Sequence, residues 1–179
     1  MKKKRIMDAH EIKSTITRMA RDILEKNPET ENLIVIGIRT RGIHLAQRLK
    51  QEIDRIEKVS IPVGILDITL YRDDLDTAAS QPVVRKTEIP FSITEKTIIL
   101  ADDVLFTGRT IRAALDSIID FGRPSLIQLA VLIDRGNREL PIRADYIGKQ
   151  IPTTRDDSVE VRFVEEDGED MVYVYGKGQ

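Results

Sequence analysis

Apolar residues near the start of the chain recur at helical spacing. Ile12, Ile16, Met19, Ala20, Ile23 and Leu24 form one stripe over residues 8–26. Asp8 and Glu11 have the spacing of a capping box at its start, and Asn27-Pro28 stops it. The period then changes. Residues 33–38 are a short unbroken apolar run, helical spacing returns at Ile43, Leu45, Ala46, Leu49 and Ile53, and 62–70 reads as another strand. A third apolar run at 97–105 leads into a helix from about Thr110, which buries Ile111, Ala114, Leu115 and Ile118 and ends at Gly122. Residues 126–133 predict a further buried strand. Apolar strands alternating with amphipathic helices predict an α/β fold, a parallel sheet flanked by helices. The end of the chain differs: 159–163 and 171–175 flank Glu165-Glu166-Asp167-Gly168, the pattern of a β-hairpin.

Composition narrows the picture. A chain of 179 residues, 41% hydrophobic, fits one domain over 1–179 with a sizeable core. No apolar run approaches the roughly 20 residues that span a bilayer, so no membrane role is expected. The basic start Met1-Lys2-Lys3-Lys4-Arg5 lacks the apolar segment of a secretory signal. With no cysteine, disulfides and thiolate metal sites are excluded and a cytoplasmic location is expected. Aromatic residues make up 4% and Trp is absent, which argues against a broad base-stacking platform. The net charge of −2 is unevenly spread: residues 1–26 hold eight Lys/Arg against four Asp/Glu, and 156–179 hold two against eight. Such a chain can be mildly acidic and still present a basic face.

The chemistry concentrates where the 97–105 strand ends. Asp102 and Asp103 are adjacent, Val104, Leu105 and Phe106 follow, and Thr107-Gly108-Arg109-Thr110 turns into a helix. Such a turn aims backbone N–H groups, two hydroxyls and a helix N-terminus at one spot, which suits an anion. The carboxylates beside it suit sugar hydroxyls or a divalent cation. A phosphate acceptor and a diol acceptor this close describe a ribose 5-phosphate pocket. The dinucleotide fingerprint needs three spaced glycines and the P-loop needs Gly-Lys-Ser/Thr, and neither pattern is present here. A second strand–loop–helix junction, Ile38-Arg39-Thr40-Arg41-Gly42, offers another anion loop. Residues 71–90 are polar, acid-rich and without period, which inside a domain marks a lid or a linker.

Over residues 98–110 the chain resembles the phosphoribosyl-pyrophosphate signature of the type I phosphoribosyltransferases. That resemblance implies a type I phosphoribosyltransferase fold with a C-terminal hood over residues 135–155. It implies that Asp102 to Thr110, with Val104, Leu105 and Phe106 among them, bind 5-phosphoribosyl 1-diphosphate, that Thr107 to Thr110 hold its 5-phosphate, and that Asp102 and Asp103 are catalytic, meeting the ribose hydroxyls directly or through Mg²⁺. Thr40, Arg41 and Gly42 would grip the pyrophosphate, 71–90 would close as a lid with Tyr71 and Arg72 at its base, and Asp134 and Arg135 would begin the nucleobase hood. Purine-salvage members carry a carboxylate where this chain has Phe106, so a pyrimidine base is implied.

Four blocks together, 37–42, 67–75, the signature, and 127–149, are similar to the bifunctional pyrimidine operon attenuation regulators that are also uracil phosphoribosyltransferases. This implies the conversion of uracil and 5-phosphoribosyl 1-diphosphate to UMP and diphosphate. It also implies binding of an mRNA attenuator in response to UMP or UTP, in a homodimer or larger homo-oligomer. Thr17, Arg18 and Arg21 (with Ser14) lie opposite the apolar stripe of the first helix. With Arg138, Arg143 and Lys149 they are the expected RNA-binding residues, separable from catalysis, since phosphates and 2′-hydroxyls dominate recognition of an RNA hairpin. A salvage enzyme without RNA binding, a regulator with decayed catalysis, and repression of translation instead of attenuation stay open at this point.

Overall fold

The unbroken apolar runs become the centre of a parallel sheet in a computed structural model of the chain, which describes residues 1–71 and 86–176. Strand β2 (Leu33–Ile38) is buried at all six positions, as a strand covered on both faces must be. Its side chains divide by alternation. Leu33 and Val35 join one cluster with Ile16, Ala20, Leu45 and Leu49, while Ile34, Ile36 and Ile38 join another with Ile111, Ala114 and Ile118. Helices α1 (Ala9–Lys26) and α2 (Arg41–Glu57) therefore cover one face and α3 (Arg109–Ile119) the other. The capping box at the start of α1 forms in both directions, Asp8 N–H to Glu11 at 2.8 Å and Glu11 N–H to Asp8 at 2.9 Å.

With β3 (Val63–Leu66), β4 (Thr97–Leu105), β5 (Leu126–Asp134) and β6 (Tyr146–Gln150), the five-stranded sheet runs β3-β2-β4-β5-β6, parallel throughout. Chain order reverses between β2 and β4, because β2 passes through α2 to β3 on one side and β4 through α3 to β5 on the other. Ligands of open α/β sheets collect at the carboxyl ends of strands at such a switch point. A second sheet is antiparallel and ordered β1-β8-β7, from Lys2–Met7, Met171–Gly176 and Ser158–Arg162.

Several expectations change. The strand expected over 62–70 stops at Leu66, because the Asp67 carboxylate accepts the Thr69 N–H at 2.9 Å and its hydroxyl at 2.6 Å, folding 67–71 into a turn. The segment expected as a hood, 135–155, divides: Tyr146–Gln150 is the edge strand of the main sheet, and the residues on either side of it are loops. The expected hairpin forms, and its connection contains a single helical turn, α4 (Val164–Asp167). Residues 72–85 of the expected lid lie outside the described residues. The described ends of that segment are anchored, Tyr71 to Asp120 by its hydroxyl and Glu88 to Ile65 by paired backbone bonds of 2.8 and 2.9 Å. Among the described residues no helix is long and apolar enough to cross a membrane.

Candidate active site and basic face

At the switch point a cavity of about 460 Å³ opens between Ile38, Arg39 and Thr40 after β2, Asp67, Ile68 and Thr69 after β3, and Asp102, Asp103, Val104 and Thr110 around the end of β4. That volume lies within the usual range for small-molecule sites. Strand β4 delivers the carboxylates. Asp102 is buried, and one of its oxygens accepts the Asp103 N–H at 2.9 Å. Burial and the neighbouring Asp103 charge push Asp102 well above the ordinary carboxylate range. Asp103 is also raised by burial, opposed by its hydrogen bond with Asp102 and by the Arg41 charge. Two desolvated carboxylates at a cavity wall are held ready for hydroxyl donors or a cation.

Gly42 explains how α2 reaches so close. A Cβ there would lie 2.6 Å from the Ala101 carbonyl oxygen and 3.2 Å from the Asp102 Cα, so only glycine lets the helix start press on β4 behind the carboxylates. Thr40 makes no capping bond with its side chain, which lines the cavity instead. The Arg39–Thr40 peptide bond is cis. Arg39 donates to the Lys86 carbonyl at 2.8 Å. Arg41 turns toward α4 and binds both oxygens of Asp167, at 2.6 and 3.2 Å. That hydrogen bond is the main reason the Arg41 pKa lies above its ordinary value, and it likewise lowers Asp167. Asp167 belongs to an acidic group laid along α2, in which Arg48 pairs with Glu165 and Asp170 at 2.6 and 2.7 Å and His44 meets Glu166 at 3.1 Å.

The expected phosphate loop follows. Gly108 has φ 93°, the left-handed conformation that glycine tolerates, and α3 begins at the next residue. The Thr107 hydroxyl accepts the Arg109 N–H at 3.3 Å. From behind, the loop is braced by Glu139 and Leu140, whose N–H groups both donate to the Thr107 carbonyl, at 2.9 and 3.1 Å. Arg109 pairs with Glu139 at 3.1 Å. Leu105 is buried in the core with Ile111 and Ala114, so only its backbone is available to a ligand. The Phe106 ring is covered by the Arg135 guanidinium, 3.9 Å from its centroid.

The two expected nucleobase residues turn out to be engaged by the protein. Asp134 is buried and accepts the Gly136 N–H at 3.0 Å and Arg138 at 2.6 Å. Arg135 donates to the carbonyls of Thr154 and Asp157 at 2.9 and 2.8 Å, and its Nε has no hydrogen-bond partner among the described residues. Burial lowers its pKa, opposed by the Asp157 charge. Both line a second cavity of about 570 Å³ with Gly136, Asn137, Arg138 and Gln150 to Thr153.

Of the expected RNA-binding residues, the structure gathers some. Arg18 reaches from α1 to the carbonyls of Gly148 and Ile147, at 2.6 and 3.3 Å, and so sits next to exposed Lys149 on edge strand β6. Arg21 is exposed on the same helix, and the Thr17 hydroxyl donates to the Lys13 carbonyl and to Glu52 at 3.2 Å. Arg143 is exposed in the loop before β6, one residue from Ala144 in the α3-side cluster, whereas Tyr146 joins the α1-side cluster. Arg138 departs from expectation. Its guanidinium is consumed by Asp134, the Phe106 carbonyl at 2.8 Å and the Ile142 carbonyl at 2.9 Å, so it is a brace of the phosphate loop.

Two features escape sequence reading. Asp67 and Thr69 line the first cavity although nothing in the 67–75 block marks them for a role, and the Asp167 partnership spans 126 positions without any local signal.

Residues 2–165 match the phosphoribosyl transferase domain family. The chain is 59% identical over 172 residues to the bifunctional protein PyrR of Pelotomaculum thermopropionicum, covering 96% of this chain and 95% of that one. It is 55% identical over 178 residues to the bifunctional protein PyrR of Oceanobacillus iheyensis, covering 98% and 99%. In fold it is similar to a hypoxanthine-guanine phosphoribosyltransferase of Bacillus anthracis, with a TM-score of 0.73 at 18% identity over 97% of this chain and 98% of that one. The hypoxanthine phosphoribosyltransferase of Trypanosoma cruzi gives the same TM-score and identity over 96% and 95%. A carboxylate pair and anion loop at the switch point of a type I phosphoribosyltransferase fold agree with these likenesses, and the chain belongs to the PyrR family of phosphoribosyl transferase domain proteins.

Proposed function

We propose that the chain carries two linked activities, synthesis of UMP from uracil and 5-phosphoribosyl 1-diphosphate, and control of a pyrimidine operon through its attenuator mRNA. The observation that carries the first is the Asp102-Asp103 pair facing Thr40 and Thr110 across one cavity. In that cavity the 5-phosphate lies against the backbone of Thr107 to Thr110 at the start of α3, the ribose hydroxyls donate to the carboxylates, and the diphosphate lies toward Thr40 and Arg41. The uracil nitrogen forms the new bond to the anomeric carbon as the bond to diphosphate breaks, and the ring N–H proton passes to the departing diphosphate or to solvent. The anomeric centre is positively charged in between, so the paired carboxylates stabilise it. The Phe106 position, apolar and held under Arg135, offers no proton acceptor to a purine.

Mg²⁺ fits this donor set. Among the described residues no group of three or more His, Cys, Asp or Glu could hold a metal, whereas Asp102 and Asp103 supply the one or two carboxylates that Mg²⁺ takes together with substrate oxygens. When bound, the ion neutralises charge on the diphosphate. The RNA face comprises Thr17, Arg18, Arg21, Arg143 and Lys149. The setting is the cytoplasm, with the chain as a homodimer or larger homo-oligomer.

The test measures both activities on one preparation. Uracil turnover should exceed hypoxanthine turnover, and UMP should tighten binding of operon leader RNA, with RNA tightening UMP by the same factor. Faster hypoxanthine turnover would remove the pyrimidine assignment, and leader binding no stronger than to an unrelated RNA would leave a salvage enzyme.

Asp167 is the positioning residue for Arg41 in this reading. Asp167→Asn should raise KM for 5-phosphoribosyl 1-diphosphate by about two- to fivefold, the worth of a partly exposed ion pair, with little change in kcat. Asp167→Glu should restore most of it. A lower KM in Asp167→Asn would mean that the carboxylate competes with diphosphate for Arg41.

A further inference from the structure

A third cavity, of about 350 Å³, lies between the two sheets where β1 passes the end of β6. Its apolar walls are Ile6 and Val174 from the antiparallel sheet and Ile151 and Pro152 after β6. Ile6 and Val174 pack against the α1-side core, and Ile151 belongs to it, so this floor is fixed. Lys4, Arg5, Lys149 and Gln150 complete the lining, and no acidic residue is among them. Lys4 stands directly opposite Val174 in the β1–β8 register, on the same side of the sheet as that wall. Lys4, Arg5 and Lys149 are exposed and have no ion-pair partner among the described residues. This contrasts with the neighbouring Lys3, which rests on the Tyr173 ring at 3.8 Å. The cleft adjoins Arg18, whose guanidinium holds the Gly148 carbonyl one residue before Lys149.

An apolar cleft whose lining also holds an amide and unpaired cations matches the parts of one nucleotide. The faces of a base lie against aliphatic walls, the Gln150 amide can donate to and accept from a base edge, and the rim cations meet the phosphates on either side. A base in a hairpin stem is stacked and paired and cannot enter, whereas a loop or bulge base can be splayed into such a pocket. We propose that the cleft between Lys4–Ile6 and Lys149–Pro152 captures one unpaired nucleotide of the bound RNA, extending the RNA face from α1 across β6 to the N-terminal strand. The proposal rests on the RNA-binding reading above and names where a loop base of that RNA goes.

The test uses the whole 179-residue chain and leader RNA. Lys4→Glu should weaken leader binding by about tenfold at moderate salt and reduce the salt dependence by roughly one phosphate contact. Lys2→Glu makes the same charge change on the same strand outside the cleft and should cost far less. UMP synthesis should be unchanged in both. With 4-thiouridine at unpaired leader positions, illumination should link RNA to peptides containing residues 4–6 or 149–152. Equal losses from Lys2→Glu and Lys4→Glu, or cross-links that never reach those peptides while RNA is bound, would overturn the cleft. If Arg18→Ala weakens binding and Lys4→Glu does not, the cleft fails and the RNA face stands. If neither change alters binding, or the unaltered protein does not bind the leader, the RNA-binding reading falls and the cleft with it.

Discussion

Replacing Asp102 and Asp103 together by Asn is expected to lower uracil turnover by about 100-fold or more and, at the same time, to raise the melting temperature of the ligand-free protein. The first effect follows from charge. Amides still accept hydrogen bonds from ribose hydroxyls but no longer stabilise a cationic anomeric centre, and removing one such stabilising group typically costs about 10²-fold or more. The second follows from burial. Both carboxylates are raised above the ordinary value of 3.8, chiefly by desolvation, so the folded state binds protons more readily than the unfolded chain. Stability therefore falls as pH rises from that ordinary value through the raised folded-state values, and the full penalty is present above them. The double substitution removes the penalty, and the side-chain amide placed at position 102 keeps an oxygen for the backbone N–H of the next residue. The variant should melt above the unaltered protein at neutral pH, and the gap should close as pH falls toward the ordinary carboxylate range. Adding Mg²⁺ and 5-phosphoribosyl 1-diphosphate should reverse the order, because only the unaltered protein retains both carboxylates for them. Turnover at the unaltered rate would remove the carboxylates from the mechanism. A variant less stable at neutral pH would show that they are held by attractions outweighing their burial.

The site was legible because its parts are local. The carboxylates, the glycine turn and the helix start lie within nine residues of one chain segment, and their order alone points to an anion loop beside two acids. The parallel sheet was legible for the same reason, since a strand buried on both faces has no polar positions to disguise it. Strand β1 was not. Lys2 to Arg5 carry no apolar period, and their pairing is determined by the β8 edge, 170 positions distant in sequence for Lys4 and Val174. Charged residues on an exposed edge strand protect it from pairing with other chains, and this hides the strand from any pattern reading. β6 was hidden differently. Its register with β5 places Tyr146 in the core, but the surrounding charges gave its segment the look of a loop. Arg138, Arg143 and Lys149 looked equivalent as charges, and only tertiary contact separates the brace from the exposed cations.

Arg138 shows what that separation means for experiment. As a surface cation it would be a residue whose loss weakens RNA binding and spares turnover. In the structure it instead ties together the end of β5, the Phe106 carbonyl at the phosphate loop and the Ile142 carbonyl of the bracing segment. Arg138→Ala leaves the buried Asp134 carboxylate without its cation and two carbonyls without a donor. Stranding a buried carboxylate whose partner is itself partly exposed costs about 2 kcal/mol, which in a domain of this size lowers the melting temperature by roughly 4–8 °C. Ile142 lies against Gly108, so the loosened segment also frees the anion loop. Uracil turnover and RNA affinity should therefore fall together in Arg138→Ala, with KM for 5-phosphoribosyl 1-diphosphate raised. Arg18→Ala, at a half-exposed side chain outside the lining of the carboxylate cavity, should reduce RNA affinity alone. Arg138→Lys discriminates further: one ammonium can satisfy Asp134 but cannot span all three acceptors in a planar fork, so it should recover stability in part and KM less. If Arg138→Ala retains its melting temperature and its turnover while losing RNA, the brace is dispensable and the guanidinium leaves its three acceptors to meet phosphate.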